Sequence, residues 1–480
     1  MSEGVAFDTR QGRWVIFAAV LGSGVAFLDG TVVNAALPAI AKDLDVGLSS
    51  LQWTLTAYLL TLGSLLVVGG SLGDLYGRRR IFVAGLAGFA VASVGCAVAQ
   101  NAAMLVAARC VQGAAAAALV PGSLALIAAS FRIEDRGRAI GAWSGLAGIS
   151  SAIGPFLGGW LIDSVSWRFV FVINVPLAAL AIAVTLRHVP ESRDEDAVRH
   201  VDVLGGVTLS AGLAGLVYAL IEGPSGASGS VVGAAVAIGV LSLVAFAVVE
   251  ARSAHPMVPL ALFRSRQFSG ANAVTVAVYA ALGVATFVLV VHLQTDLGYS
   301  ALSAGASLLP ITVIMLAFSA RAGALAQRIG PRWPMTVGPV VVGISLAMLS
   351  SVEVGSSYAS GVLPGVIVLG VGLAITVAPL TAAVLAAVDD HHAGIGSAIN
   401  NAAARIASLL AIAVLPAMAG LSDDFAGGYR KALVIAAVLS VIGGGIAAVT
   451  IRESTPVTAT THVPGGPSCN DASVKIDEAA

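Results

Sequence analysis

Gly70–Arg80 reads GSLGDLYGRRR and separates two long apolar runs, residues 51–69 and 81–99. Either run is long enough to cross a bilayer, and the stretch between them has room only for a tight turn. Three consecutive arginines do not enter hydrocarbon, so the turn lies in water, on the cytoplasmic side by the positive-inside rule. Gly70, Gly73 and Gly77 allow close helix approach and backbone angles that other residues resist. Asp74 is placed to pair with the arginines that follow it or with a neighbouring helix terminus, and so to act as a latch. The plainer reading is a charged turn that only sets topology.

A weaker copy follows 253 positions later, where Gly323, Leu325, Gln327, Gly330 and Arg332 repeat the spacing of Gly70, Leu72, Asp74, Gly77 and Arg79. It also lies between apolar runs, which points to a duplicated bundle. Gln327 and Pro331 stand in place of Asp74 and Arg78, so any second latch is degraded.

Composition agrees with a membrane protein. Of 480 residues, 58% are hydrophobic and 11% charged, and the mean hydropathy of +0.93 excludes a soluble chain. A net charge of -1, with no basic patch interleaved with aromatics, gives no support to a nucleic-acid partner. Cys96 and Cys110 fall inside spans and Cys469 in a polar tail, so no disulfide framework or metal site is expected. His391 and His392 follow Asp389 and Asp390, but adjacent loop residues rarely converge on one ion. No phosphate-binding GxxxxGK[ST] loop is present, which argues against an ATP-driven pump. A proton-pumping respiratory subunit needs embedded lysines, whereas Lys42, Lys431 and Lys475 all lie outside the apolar core.

Fourteen runs are long enough to span: about 14–38, 51–72, 80–99, 103–128, 139–162, 168–187, 203–222, 229–250, 269–293, 302–322, 334–352, 358–386, 395–420 and 431–451. The first reads as an uncleaved signal anchor. With both termini inside, nineteen of the 25 basic residues are cytoplasmic and only Lys42, Arg168, Arg430 and Lys431 are external. That bias supports the orientation. The expected organisation is an N-terminal six-helix bundle (1–187), a charged cytoplasmic linker (188–202), an inserted helix pair (203–250), a C-terminal six-helix bundle (269–452) and a disordered cytoplasmic tail (453–480). The fold class is therefore an all-α polytopic membrane protein.

Asp29 lies well inside the first span, where a carboxylate must be protonatable, paired or in contact with water. Asn34 and Pro38 follow it, and Pro38 is expected to end or bend the span. Arg109 is the matching cation in the fourth span, with Gln112 and Gly113 on the same helix face. From the rise per residue, Asp29 sits about 5 Å and Arg109 about 9 Å to the same side of the midplane, so they can pair. Burial and a neighbouring guanidinium pull a carboxylate's proton affinity in opposite directions, which lets conformation tune it. The fifth span carries a small face through Gly154, Gly158 and Gly159, with a kink at Pro155. Asn400, Asn401 and Arg405 in the thirteenth span, together with Asn34, Tyr58 and Trp143, are candidates to line a cavity.

Five stretches of these residues resemble the major facilitator superfamily, in its fourteen-span drug:proton antiporter branch of the EmrB/QacA type. They are Leu28–Pro38, Gly70–Arg80, Arg109–Gly113, Gly154–Gly159 and Trp167–Pro176, with Gly396–Arg405 extending the likeness into the second half. The resemblance implies two six-helix bundles around a central cavity, alternating access, and export of amphipathic or cationic small molecules driven by proton entry. It makes Asp29 the proton and cation site, Arg109 with Gln112 its coupling partners, Asp74 with Arg78 the cytoplasmic latch, and Gly154–Gly159 the antiporter helix. The proton is the coupling ion, no cofactor is needed, and a monomer in a bacterial plasma membrane is expected. One buried acid suits a monocation or a neutral amphiphile better than a dication. A transporter of one dedicated metabolite on the same fold is the alternative.

Overall fold

The computed structural model describes residues 4–193, 201–253, 256–389, 393–421 and 424–452. His391, His392, Asp390, residues 194–200 of the expected linker and the 453–480 tail lie outside the described residues. In hydrocarbon a chain satisfies its backbone polar groups within its own helices. Accordingly, the described elements are helical apart from a single bridge between Val5 and Phe131, which ties the N-terminal segment to the loop before the fifth span.

In chain order the helices are α1 (Arg10–Leu44), α2 (Leu48–Tyr76), α3 (Arg78–Ala97), α4 (Ala102–Ala116), α5 (Leu119–Ser130), α6 (Ile133–Ser164), α7 (Phe169–Val172), α8 (Asn174–His188), α9 (Val203–Glu222), α10 (Gly229–Arg252), α11 (Arg266–Thr295), α12 (Ala301–Ala306), α13 (Leu309–Ile329), α14 (Arg332–Leu349), α15 (Leu363–Leu385), α16 (Ala393–Ala419) and α17 (Phe425–Thr450). Thirteen spans among the described residues are long and apolar enough to cross a membrane. The fifth expected run falls on α6, 32 residues long, which is not one of those thirteen.

Prolines explain where spans are interrupted. Pro121, Pro176, Pro310 and Pro364 each stand at the second or third residue after a break, where the missing N–H removes a bond to the preceding turn. Pro38 behaves otherwise. α1 continues through it to Leu44, so the proline does not end the span.

Helices α1–α8 pack among themselves, as do α11–α17, and α9 lies against α2 and α16. α10 packs on α9, and only 6% of its apolar window is buried against 67% for α1, so it faces lipid. Gly215 and Gly239 let α9 and α10 cross closely, since a Cβ at either would fall under 3 Å from the other helix's backbone.

The core differs between the two ends. At the end carrying Lys42, residues of both halves, among them Val33, Leu37, Val288, Leu346 and Leu415, form one apolar cluster. At the end carrying Arg78, the first half has its own cluster around Phe82, Phe89 and Leu126, and the second half another around Phe268, Met335 and Leu380. The two halves are thus closed together at the Lys42 end.

Candidate functional site

Asp29 is fully buried in α1 at 0% exposure, and Arg109 of α4 at 1%. The Arg109 Nη1 group donates to Asp29 Oδ2, forming an ion pair inside the first half. The same nitrogen donates to Gln112 Oε1 at 2.6 Å, and Arg109 Nε donates to the Thr54 carbonyl at 3.0 Å. Gln112 Nε2 in turn donates to Asp29 Oδ1 at 3.0 Å and to Ser93 Oγ at 2.8 Å. A buried ion pair is tolerable only when its remaining lone pairs are met, and this one is enclosed by donors.

Asn174, the first residue of α8, completes the shell by donating from Nδ2 to Asp29 Oδ1 at 2.9 Å. Its Oδ1 is buried and has no donor among the described residues, so the network is one donor short. Arg109 Cζ stands 4.2 Å from the Tyr58 ring centroid, and Tyr58 OH donates to the Ala26 carbonyl. Gly113 allows α2 to reach α4, because a Cβ there would run into Tyr58 O and Thr61 Oγ1.

In the 2–3 turn, Asp74 pairs with Arg78 at 2.8 Å across the helix break. Gly77 makes the break with φ of 112°, a conformation that favours glycine. Cβ atoms at Gly70 and Gly73 would meet only ordinary contacts, at 3.5 and 3.9 Å. The turn also grips the start of the linker: Arg79 N donates to Glu191 Oε1 at 3.0 Å, Arg78 N to the Ser192 carbonyl at 2.8 Å, and Arg80 Nε lies 3.6 Å from Glu191 Oε2. Gly330 at the second-half echo has φ of 84°, so the glycine survives where the ion pair does not.

The glycine-proline face of α6 lies at the junction of the halves. Cβ atoms at Gly154 and Gly158 would overlap Thr31 and Val32 of α1, and one at Gly159 would overlap Ala301 of α12. Gly305 of α12 sits against the Pro155 carbonyl. Asp163, one turn beyond, accepts from Ala301 N at 3.2 Å and Leu302 N at 2.9 Å, capping α12 across the junction. Gln294 Nε2 donates to the Ala35 carbonyl at 3.1 Å and Gln52 Nε2 to the Ile412 carbonyl at 2.7 Å, adding two more crossings at this end.

The expected cavity residues separate into two groups. Tyr58 and Trp143 are buried inside the first half, the latter donating to Ser23 Oγ at 2.8 Å. Asn400 is committed to Asn272 and Thr275 of α11. Asn34, Asn401 and Arg405 remain half-buried: Asn34 donates to the Gly30 carbonyl at 3.4 Å, Asn401 donates to the Ser397 carbonyl at 3.0 Å, and the Arg405 guanidinium stands off Phe27 of α1. The sequence reading assigned no role to Asn174, Ser93, Glu191 or Asp163. For Asn174 the available signal was its place in Trp167–Pro176, a stretch noted only as a resemblance.

A family model described as the Major Facilitator Superfamily matches residues 19–412. The chain is 36% identical over 402 residues to the multidrug resistance protein Stp of Mycobacterium tuberculosis, covering 83% of this chain and 74% of that one. It is 34% identical over 412 residues to the tetracenomycin C resistance and export protein of Streptomyces glaucescens, covering 85% and 76%. A crystal structure of a D-xylose-proton symporter superposes with a TM-score of 0.66 at 15% identity, covering 92% of this chain and 98% of that one, a likeness of fold. With that match and this helix arrangement, the chain belongs to the Major Facilitator Superfamily and is a multi-pass membrane transporter rather than an enzyme.

Proposed function

We propose that the protein is a drug:proton antiporter of the EmrB/QacA type. In this reading α6 serves as the fourteenth span, both termini are cytoplasmic, and the protein exports amphipathic small molecules across a bacterial plasma membrane as a monomer. The observation that carries the proposal is the network around Asp29, among the described residues the one acid enclosed at mid-span, with donors from Arg109, Gln112 and Asn174. An ionisable group at that depth is costly, and such groups mark proton and substrate pathways. The relatives named for multidrug resistance and for tetracenomycin C resistance and export support the drug-efflux part.

In this mechanism a proton from outside moves onto Asp29. The neutral carboxyl no longer holds Arg109 electrostatically, and its new O–H adds a donor to a network with one unmet acceptor, Asn174 Oδ1. α1 and α4 then shift relative to each other, and the halves (1–187 and 269–452) rock about the small face at Gly154, Pro155, Gly158 and Gly159. Closure at the Lys42 end is the arrangement expected of the state that loads from the cytoplasm, with the Asp74–Arg78 turn disengaged from the second half. One charge moving through 100 mV supplies about 2.3 kcal/mol toward uphill export.

The test is accumulation of amphipathic dyes of either charge, ethidium and fluorescein among them, in cells producing the wild type, Asp29→Asn or Arg109→Ala, with and without a protonophore. Protonophore-sensitive efflux that disappears in Asp29→Asn, with protein still in the membrane, is expected. Efflux that persists in Asp29→Asn contradicts the proposal. A wild type that exports none of the dyes favours the dedicated-metabolite alternative.

A further inference from the structure

A second embedded arginine lies outside the Asp29 network. Arg405 is half-buried near the middle of α16. Its root faces Gly63 of α2, where an added Cβ would stand 3.3 Å from the Arg405 Cβ. Its guanidinium reaches across to α1, with Cζ 5.8 Å from the Phe27 ring centroid. Among the described residues, no carboxylate lies within ion-pair distance of Arg405 and no hydrogen bond ties it down.

The surroundings are open on the side it faces. Phe27, Gly30 and Asn34 follow one another at i, i+3 and i+7, on one face of α1, and all three are half-buried. A Cβ at Gly30 would meet nothing within 4 Å. The Arg405 guanidinium standing off Phe27 places α16 opposite that face. Asn401 lies one turn before Arg405 on the same face of α16. Asp29 is fully buried and held by its own donors, so the charge presented to this seam is positive.

We infer that Arg405 is a subsite for an acid group, and that the substrate is an amphipathic organic anion bearing a carboxylate, sulfonate or ionised phenol. This keeps the amphipathic class expected from sequence but replaces its cationic members with anions, and it rests on the export reading for the direction of movement. An unpaired guanidinium at mid-span is stable only against water or a counter-charge, and its planar fork suits a bidentate acid. The Phe27 ring supplies an apolar wall beside it.

The test uses two dyes with one ring system and opposite charge, fluorescein and rhodamine 123, bound to the full chain in lipid nanodiscs and read by anisotropy against empty discs. The wild type is expected to hold fluorescein at least about tenfold more tightly than rhodamine 123, and Arg405→Gln to weaken fluorescein about tenfold while leaving rhodamine 123 unchanged. Arg405→Lys keeps the charge without the fork and is expected to fall between, which preserves the test if Arg405→Gln does not fold. A wild type that prefers rhodamine 123, that binds no fluorescein, or whose fluorescein affinity survives Arg405→Gln overturns the inference. Transport in proteoliposomes separates the two readings. Arg405-dependent binding without proton-driven export removes the export reading and keeps the subsite, whereas proton-driven dye export indifferent to Arg405 removes the subsite alone.

Discussion

Asp163 offers a quantitative handle on closure at the Lys42 end. Its carboxylate accepts from Ala301 N at 3.2 Å and Leu302 N at 2.9 Å, joining α6 of one half to α12 of the other. Asp163→Asn keeps the volume, removes the charge, and turns one accepting arm into an NH2 group facing a backbone N–H. Hydrogen bonds to a charged group contribute about 1.5–3 kcal/mol each when buried. Asp163 is exposed, so solvent screening reduces the pair to about 1–2 kcal/mol. That shifts a two-state equilibrium about five- to thirty-fold toward the form open at this end. Spin labels at Val165 and Ser303, both exposed, in a chain freed of Cys96, Cys110 and Cys469, report the separation directly. The prediction is a longer-distance population that grows by that factor. Asp43→Asn, which loses a pair with Arg168 within the first half, serves as the control and is expected to leave the distribution in place. A distribution for Asp163→Asn that matches the wild type or the control refutes the reasoning.

Two further predictions concern contacts that the helix arrangement makes important. Asn174→Ala removes a donor from a charged acceptor and is expected to lower stability by about 1.5–3 kcal/mol and to impair proton-driven transport; thermal unfolding in detergent at unchanged melting temperature would contradict it. Gly77→Ala forces a side chain onto φ of 112° and places Cβ 2.9 Å from Glu191 Oε1, a loss of about 1–3 kcal/mol, whereas Gly73→Ala, with 3.9 Å to its nearest neighbour, is expected to be near neutral. Equal melting temperatures for the two glycine variants would sink that account.

What could be read from sequence follows from how strongly the bilayer constrains it. Apolar runs of span length separated by arginine-rich turns leave little freedom, and the fourteen runs fall on helical chain, three of them (103–128, 168–187 and 302–322) across two α-helices each. Charges at mid-span stand out for the same reason, and the rise per residue was enough to bring Asp29 and Arg109 to one level. Helix rotation carries no comparable signal. Tyr58, Trp143 and Asn401 looked alike as polar or aromatic residues within spans, yet the first two are buried inside the first half and the third is half-buried, bonded to the Ser397 carbonyl of its own helix. Asn174 is a neutral side chain near a span end, and nothing in composition separates it from an ordinary cap. The glycines differ in the same way: Gly70, Gly73 and Gly77 share one turn, but only the backbone angle at Gly77 distinguishes it. Of the two outcomes expected at Pro38, the helix does not end there, because a proline removes one bond from a long helix without stopping it when the neighbouring turns are packed.

The most direct measurement of the central claim is proton movement in proteoliposomes that hold a trapped pH dye and face an imposed gradient of a transported dye. The account predicts that the wild type moves protons against the dye flux, and that Asn at position 29 in Asp29→Asn abolishes proton movement while dye binding persists. Proton flux in Asp29→Asn equal to the wild type would contradict the assignment of Asp29 as the coupling carboxylate.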